Sequence, residues 1–268
     1  MECNKNWKFR WLKLIINIKR VQALDVRQDL IERLSHPDKP LILAFVNAHA
    51  MNLIFKSESF FESLCAADAV LRDGSGMETL FNHLNISPGL NLNGTDLIPD
   101  ILHKFNGRCI ALFGTKEPYL KSGMEFVAKN LAPQSVCVCA NGFLDTGTYI
   151  SLAAESHPAL IVLGMGMPRQ EMVAIALRSK LTFPCLIICG GAIIDFWGGK
   201  TSRAPSWIRK IGMEWLFRLR MEPLRLFHRY IIGNYVFLMR TFILAFFNRS
   251  LKQHVFSKQE KLSSSSVD

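Results

Sequence analysis

The 268-residue chain is long enough to bury a full core, as one large domain or as one domain with an appendage. An apolar content of 49% excludes a disordered chain. The net charge of +10, from 32 Lys and Arg against 22 Asp and Glu, favours anionic partners: nucleic acid, acidic lipid headgroups or phosphorylated substrates.

The opening stretch MECNKNWKFRWLKLIINIKRVQ has a short apolar core interrupted by Lys13 and Lys19, and no small-residue cleavage site. It does not read as a secretory signal, and the chain is expected to stay in the cytoplasm. Five runs rich in branched apolar residues follow: LILAFV (41–46), CIALFG (109–114), VCVCA (136–140), ALIVLG (159–164) and CLIICGG (185–191). From the second onward they begin about 25 residues apart, with helix-compatible stretches between them, which is the spacing of consecutive βαβ units. Strands apolar on both faces predict a Rossmann-like, mainly parallel α/β sheet with helices on both faces. Three runs lead into glycine, at Gly114, Gly164 and Gly190, and ligands of such folds sit at the carboxyl ends of the strands. In GMGMPRQE, Gly164 and Gly166 fit a tight turn, Pro168 suits a first helical position, and Gln170 and Glu171 fall in the first turn. A βα turn that merely needs glycine fits the same residues.

From Arg203 the composition changes. The segment Thr201–Tyr230 interleaves six arginines and Lys210 with Trp, Phe and Leu. Pro223 divides this region into two helices. Beyond it, Leu224, Phe227, Ile231, Tyr235, Leu238, Phe242 and Phe246 follow helical spacing on one face, while Arg225, Arg229 and Arg240 share another. The longest uncharged stretch of this region, Tyr230–Met239, is half of the about 20 residues that a transmembrane helix needs. A helix lying on a membrane is therefore expected, with a core-packing helix as the alternative. The division that follows is a core over 1–200, a helical membrane-binding appendage over 201–250 and a disordered tail over 251–268.

Seven cysteines, an odd number found mostly in strand-like runs, read as small buried hydrophobes of a reducing compartment. Cys137 and Cys139 share one strand face, but no second Cys/His pair completes a zinc site, so no metal is expected. Asp73, in AADAVLRDGSGM, lies in a glycine-bordered loop where a carboxylate can act as a general base, although Asp-Gly is also a common turn. His49, in VNAHAMN, is the rival base. No D-x-D occurs, so a divalent-metal clamp on a nucleotide-sugar diphosphate has no obvious ligands. Positive charge for a diphosphate leaving group must then come from Arg, Lys or helix dipoles.

Taken in order, NAHAMNL, LRDGSGM, NGTDLIPDIL, ALFGTKE, NGF, LIVLGMGMPRQE, GGAIIDFWGGKTSRAPSWIRKIGMEWLFRL and EPLRLFHRY resemble the WecG/TagA/CpsF family of bacterial glycosyltransferases over roughly residues 40–235. The resemblance implies metal-independent, inverting transfer of a sugar from a UDP-sugar to a polyprenyl-diphosphate-linked saccharide. It implies no cofactor and no nucleic acid, a peripheral place on the cytoplasmic face of the membrane, and leaves a homo-oligomer open. Asp73 would be the base, and Arg218, Arg225 and Arg229 would complete the site over the donor diphosphate. Asn47, Gly114, Gly164, Gly166, Gln170, Glu171 and Asp195 would be substrate-binding positions. Many members carry T-x-N where this chain has Phe45, Val46 and Asn47, so the threonine contact is lost. The motifs do not choose among N-acetylmannosamine, its uronic acid, glucose and galactose. A nucleotide-dependent oxidoreductase using GMGMP is disfavoured, because no G-x-G-x-x-G follows and the acidic ribose ligand is missing. A non-catalytic membrane-surface or nucleic-acid-binding module would leave Asp73 and the glycine turns unexplained.

Overall fold

The computed structural model describes residues 7–247 of the protein. The tail expected over 251–268, and Cys3, lie outside the described residues. Six strands, β1 Leu41–Val46, β2 Ala69–Arg72, β3 Ile110–Gly114, β4 Cys137–Ala140, β5 Leu160–Gly164 and β6 Leu186–Cys189, form one parallel sheet in the order β2-β1-β6-β5-β3-β4. The five expected runs are all strands. The sixth, β2, is not among those runs: four residues carry too little pattern, and its pairing with β1 is what makes it a strand.

Alternate side chains of the strands enter two separate cores, which is why the runs are apolar at every position. Ile42, Ala44, Val46, Ala111, Phe113, Ile161, Leu163 and Ile187 pack on one side, under helices that include Trp7–Asn17, Ala48–Lys56, Ser75–His83 and Arg169–Lys180. Leu43, Phe45, Leu112, Val162 and Ile188 pack on the other, under Leu24–Ser35, Gly94–Lys104, Tyr119–Asn130 and Ile193–Trp197.

The region after Lys200 folds back over the carboxyl edge of this sheet. Helices Ser206–Lys210 and Glu214–Met221 are followed by Pro223–Phe227, with Pro223 at its first position, a π-helical segment His228–Ile232, and the closing helix Gly233–Phe247. The core-packing alternative holds for one face of the closing helix, while the apolar stripe lies on another face that is exposed. Phe237, Thr241 and Leu244 are buried in the first core, and the Trp11 and Phe237 rings lie 5.4 Å apart. The stripe Leu224, Phe227, Ile231, Tyr235, Leu238, Phe242 and Phe246 is exposed throughout, Leu224 at 98% and Phe246 at 79%. Among the described residues no helix is long and apolar enough to cross a membrane.

One expectation is corrected here. Arg240 does not share a face with Arg225 and Arg229, because the wider π turn shifts the phase between them. It stacks on the Phe55 ring, 3.9 Å from its centroid, and donates to Asn52 Oδ1 at 3.0 Å. The closing helix adds Phe237 and Leu244 to the first core, which is otherwise built by residues 1–200. Without Phe237 and Leu244 the apolar surface around Trp11 would open to water, a loss of about 1.5–3 kcal/mol for each large side chain.

Candidate active site

β1 and β2 run in register from Leu43 opposite Ala69 to Val46 opposite Arg72, so Asn47 and Asp73 emerge side by side at the carboxyl edge. The Asp73 N–H donates to the Val46 carbonyl at 2.8 Å. Asn47 caps the helix Ala48–Lys56: its Oδ1 accepts from the Ala50 N–H at 3.1 Å, which leaves Nδ2 to donate to Asp73 Oδ2 at 3.4 Å. Gly74, at φ +83°, turns the chain into helix Ser75–His83. Arg72 clamps the returning loop, with Nε donating to the Pro88 carbonyl at 2.8 Å and Nη2 to that of Gly89 at 2.6 Å.

Asp73 faces a cavity of about 360 Å³. Asn47 and His49 line the same wall, Gly164, Gly166, Gln170 and Asp195 the opposite one, and Arg218, Arg225 and Arg229 close it from the C-terminal region. Gly114 and Glu171 do not line it. A side chain at Gly114 would start 2.5 Å from the Gly164 carbonyl oxygen, so this glycine lets two strand ends touch. Glu171 stands behind the wall, 2% exposed, joined to Gln170.

The cavity is lined by the cations Lys200, Arg218, Arg225 and Arg229 and by the carboxyls Asp73 and Asp195. Burial pushes the Asp73 carboxyl above its ordinary value, outweighing the opposite pull of Asn47, Arg218, Arg229 and Arg72. Arg229 is lowered, first by burial, with Arg218 and Arg225 adding like-charge repulsion. The Nε atoms of Arg218 and Arg229 are buried without a hydrogen-bond partner. Arg225 is more exposed and pairs with Glu222, Nη2 to Oε1 at 2.8 Å. His49 is lowered to about 4, first by burial and then by Arg229, so it is a neutral imidazole at pH 7.

Thr115, Lys200 and Phe45 line the cavity without having been singled out as ligand contacts. Thr115 Oγ1 donates to Asp195 Oδ1, and Lys200 Nζ reaches the same oxygen at 3.0 Å. Both residues sit inside motifs, GTKE and GGKT, whose glycines drew the attention. The C-terminal region is pinned over the pocket by contacts no local pattern announces. Arg203 and Arg209 converge on Asp96 Oδ1, and Ser75 Oγ donates to the Gly212 carbonyl at 3.2 Å. Among the described residues no group of three or more His, Cys, Asp or Glu side chains is placed to hold a metal ion.

A parallel sheet with Asp73 and the arginines Arg218, Arg225 and Arg229 gathered around a cavity at its carboxyl edge defines an α/β protein with a crevice rich in positive charge. The profile of the Glycosyl transferase WecG/TagA/CpsF family matches residues 13–251, which includes every element of the site. The chain belongs to this family. Similar curated proteins include the N-acetylglucosaminyldiphosphoundecaprenol N-acetyl-beta-D-mannosaminyltransferases of Bacillus subtilis strain 168, 24% identical over 69% of this chain and 73% of the relative, and of Bacillus spizizenii, 25% over 71% and 74%. The protein of that name from Staphylococcus aureus strain MW2 is 22% identical over 68% and 72%.

Proposed function

We propose that the protein is an inverting, metal-independent glycosyltransferase that moves a sugar from a UDP-sugar to a polyprenyl-diphosphate-linked saccharide at the cytoplasmic face of the membrane. The observation that carries this reading is the meeting of Asp73 with Arg218 and Arg229 in one pocket, a candidate base beside two guanidinium groups whose Nε atoms have no hydrogen-bond partner. The names of the relatives, which describe a sugar transferase acting on a diphosphoundecaprenol-linked sugar, support the acceptor class.

In the proposed reaction the acceptor hydroxyl oxygen attacks the anomeric carbon from the face opposite the diphosphate. The new C–O bond forms as the bond to the β-phosphate oxygen breaks, so the configuration inverts. Asp73 takes the hydroxyl proton, and the electron pair of the broken bond leaves with UDP. Burial strengthens Asp73 as a base, while Asn47 holds its second oxygen in place. His49 is the weaker candidate, since burial and Arg229 lower its affinity for a proton. Arg218 and Arg229 neutralise the departing diphosphate, with Arg225 reaching it by exchange from Glu222. The exposed stripe from Leu224 to Phe246 rests in the lipid interface, where a lipid-linked acceptor must be met.

The test is a screen of UDP-sugars against a short-chain polyprenyl-diphosphate-linked acceptor, with and without excess EDTA. A β-linked product from an α-linked donor, formed in EDTA, is the expected result. Turnover lost in EDTA and restored by magnesium or manganese would overturn the metal-independent part.

A further inference from the structure

Glu171 has no part in the transfer just described, yet it is one of the most unfavourably placed carboxyls in the molecule. It is 2% exposed, and its Oε2 is buried with no hydrogen-bond partner. Burial raises it to about 7, against the lowering by Gln170 and its own backbone N–H. A buried, half-satisfied carboxyl costs stability, and replacing such a group with an apolar one of similar shape is often neutral or stabilising. Something other than folding must hold it there.

Its one side-chain partner points to the pocket. Glu171 Oε1 accepts from Gln170 Nε2 at 2.8 Å, and Gln170 Oε1 accepts from the Gly191 N–H at 2.9 Å. Gln170 and Gly191 both line the cavity, and Gly191, at φ +64°, has open space where a side chain would stand. A glutamine amide can sit in either of two orientations, and only one meets the Gly191 N–H with an acceptor. The flipped amide would bring NH2 against N–H. Glu171 selects the productive orientation, because Oε1 accepts a hydrogen bond whether the carboxyl is ionised or neutral. The chain of bonds also occupies the Gly191 N–H, so this glycine turn does not offer that group to a phosphate.

We propose that Glu171 is a positioning residue, which acts through Gln170 to fix the Gly191 turn and so the shape of the wall against which the sugar nucleotide binds. This rests on the transferase reading above.

The test compares Glu171→Met and Glu171→Gln with wild type in the full chain, measuring Tm, the Kd for UDP by calorimetry, and kcat/KM for transfer. Glu171→Met removes the acceptor and keeps the volume. It should fold with an unchanged or higher Tm while kcat/KM falls by about tenfold or more, since small misplacements of a binding wall are costly. Glu171→Gln keeps an acceptor at the same position and should restore most of that loss. An unfolded Glu171→Met would overturn the proposal, as the carboxyl would then serve the fold. So would a folded Glu171→Met with wild-type kcat/KM, or a Glu171→Gln as impaired as the methionine variant. Wild-type protein that neither binds UDP nor transfers sugar would sink the transferase reading, and this proposal with it.

Discussion

Trp11 and Phe237 lie with ring centroids 5.4 Å apart, so the first described helix and the last one share a core. Phe237→Ala should lower stability by about 3–5 kcal/mol, the cost of emptying a buried aromatic site, as read from urea unfolding. Phe242→Asp and Phe246→Asp, on the exposed face of the same helix, should cost less stability than Phe237→Ala, with Phe242 losing its edge-on contact to the His83 ring, 4.7 Å between centroids. They should weaken binding to anionic liposomes in a flotation assay while sparing turnover of a soluble acceptor. Equal loss of stability in all three variants would mean that the exposed stripe is packing surface.

Asp73→Asn should reduce kcat by about 10²–10⁴ with UDP affinity nearly intact, since general-base catalysis is worth that range. Because burial raises the Asp73 carboxyl, the acid limb of the kcat profile should fall above the ordinary carboxylate range. Activity should increase with pH as the proton leaves. The residual activity of Asp73→Asn should lack that limb, and a limb that persists would move the role to another group.

Arg218→Met and Arg229→Met should each weaken UDP binding by on the order of ten- to a hundredfold, since a charge-assisted contact to phosphate is worth about 1.5–3 kcal/mol. Neither should destabilise the free protein, because both side chains bury a cation whose Nε has no partner. Calorimetric Kd and thermal unfolding on the same samples check both halves. An arginine variant that loses Tm and keeps its UDP affinity would place that side chain in the scaffold.

Glu171 gives stability a dependence on pH with a definite sign. Its folded value, about 7, lies above the ordinary 4.5, so between these values the folded chain holds a proton that the unfolded chain has released. Its contribution is largest at low pH and declines by about 1.4 kcal/mol per pH unit as the pH rises through this window. The difference in unfolding free energy between wild type and Glu171→Gln should fall from pH 5 to pH 7 and level off above. A flat difference would contradict the raised value.

How much of this could be read from the chain alone depends on the range of the interaction. The five long apolar runs declared themselves because a strand buried on both faces needs apolar residues at every position, and that is a local property. Asp73 and Asn47 were legible as glycine-bordered and strand-terminal residues, and the motif resemblance drew the arginines after Pro223 to the same site. The four-residue β2 was not legible, since its identity comes from its register with β1, which is 26 residues away at Val46 and Arg72. The closing helix is apolar around most of its circumference, so its pattern could not say which side stays exposed and which meets Trp11. The π turn at 228–232 then shifted the phase that the simple helical count assigned to Arg240. Sequence determined the sheet, its glycine turns and the residue types of the site, because those follow from near neighbours and backbone sterics. Only the tertiary structure decided that Gly114 packs against Gly164, that Glu171 is buried behind Gln170, and that Arg203 and Arg209 hold the C-terminal region in place through Asp96. Each of these is a contact between segments far apart in the chain, set by shape and charge once the sheet has brought the segments together.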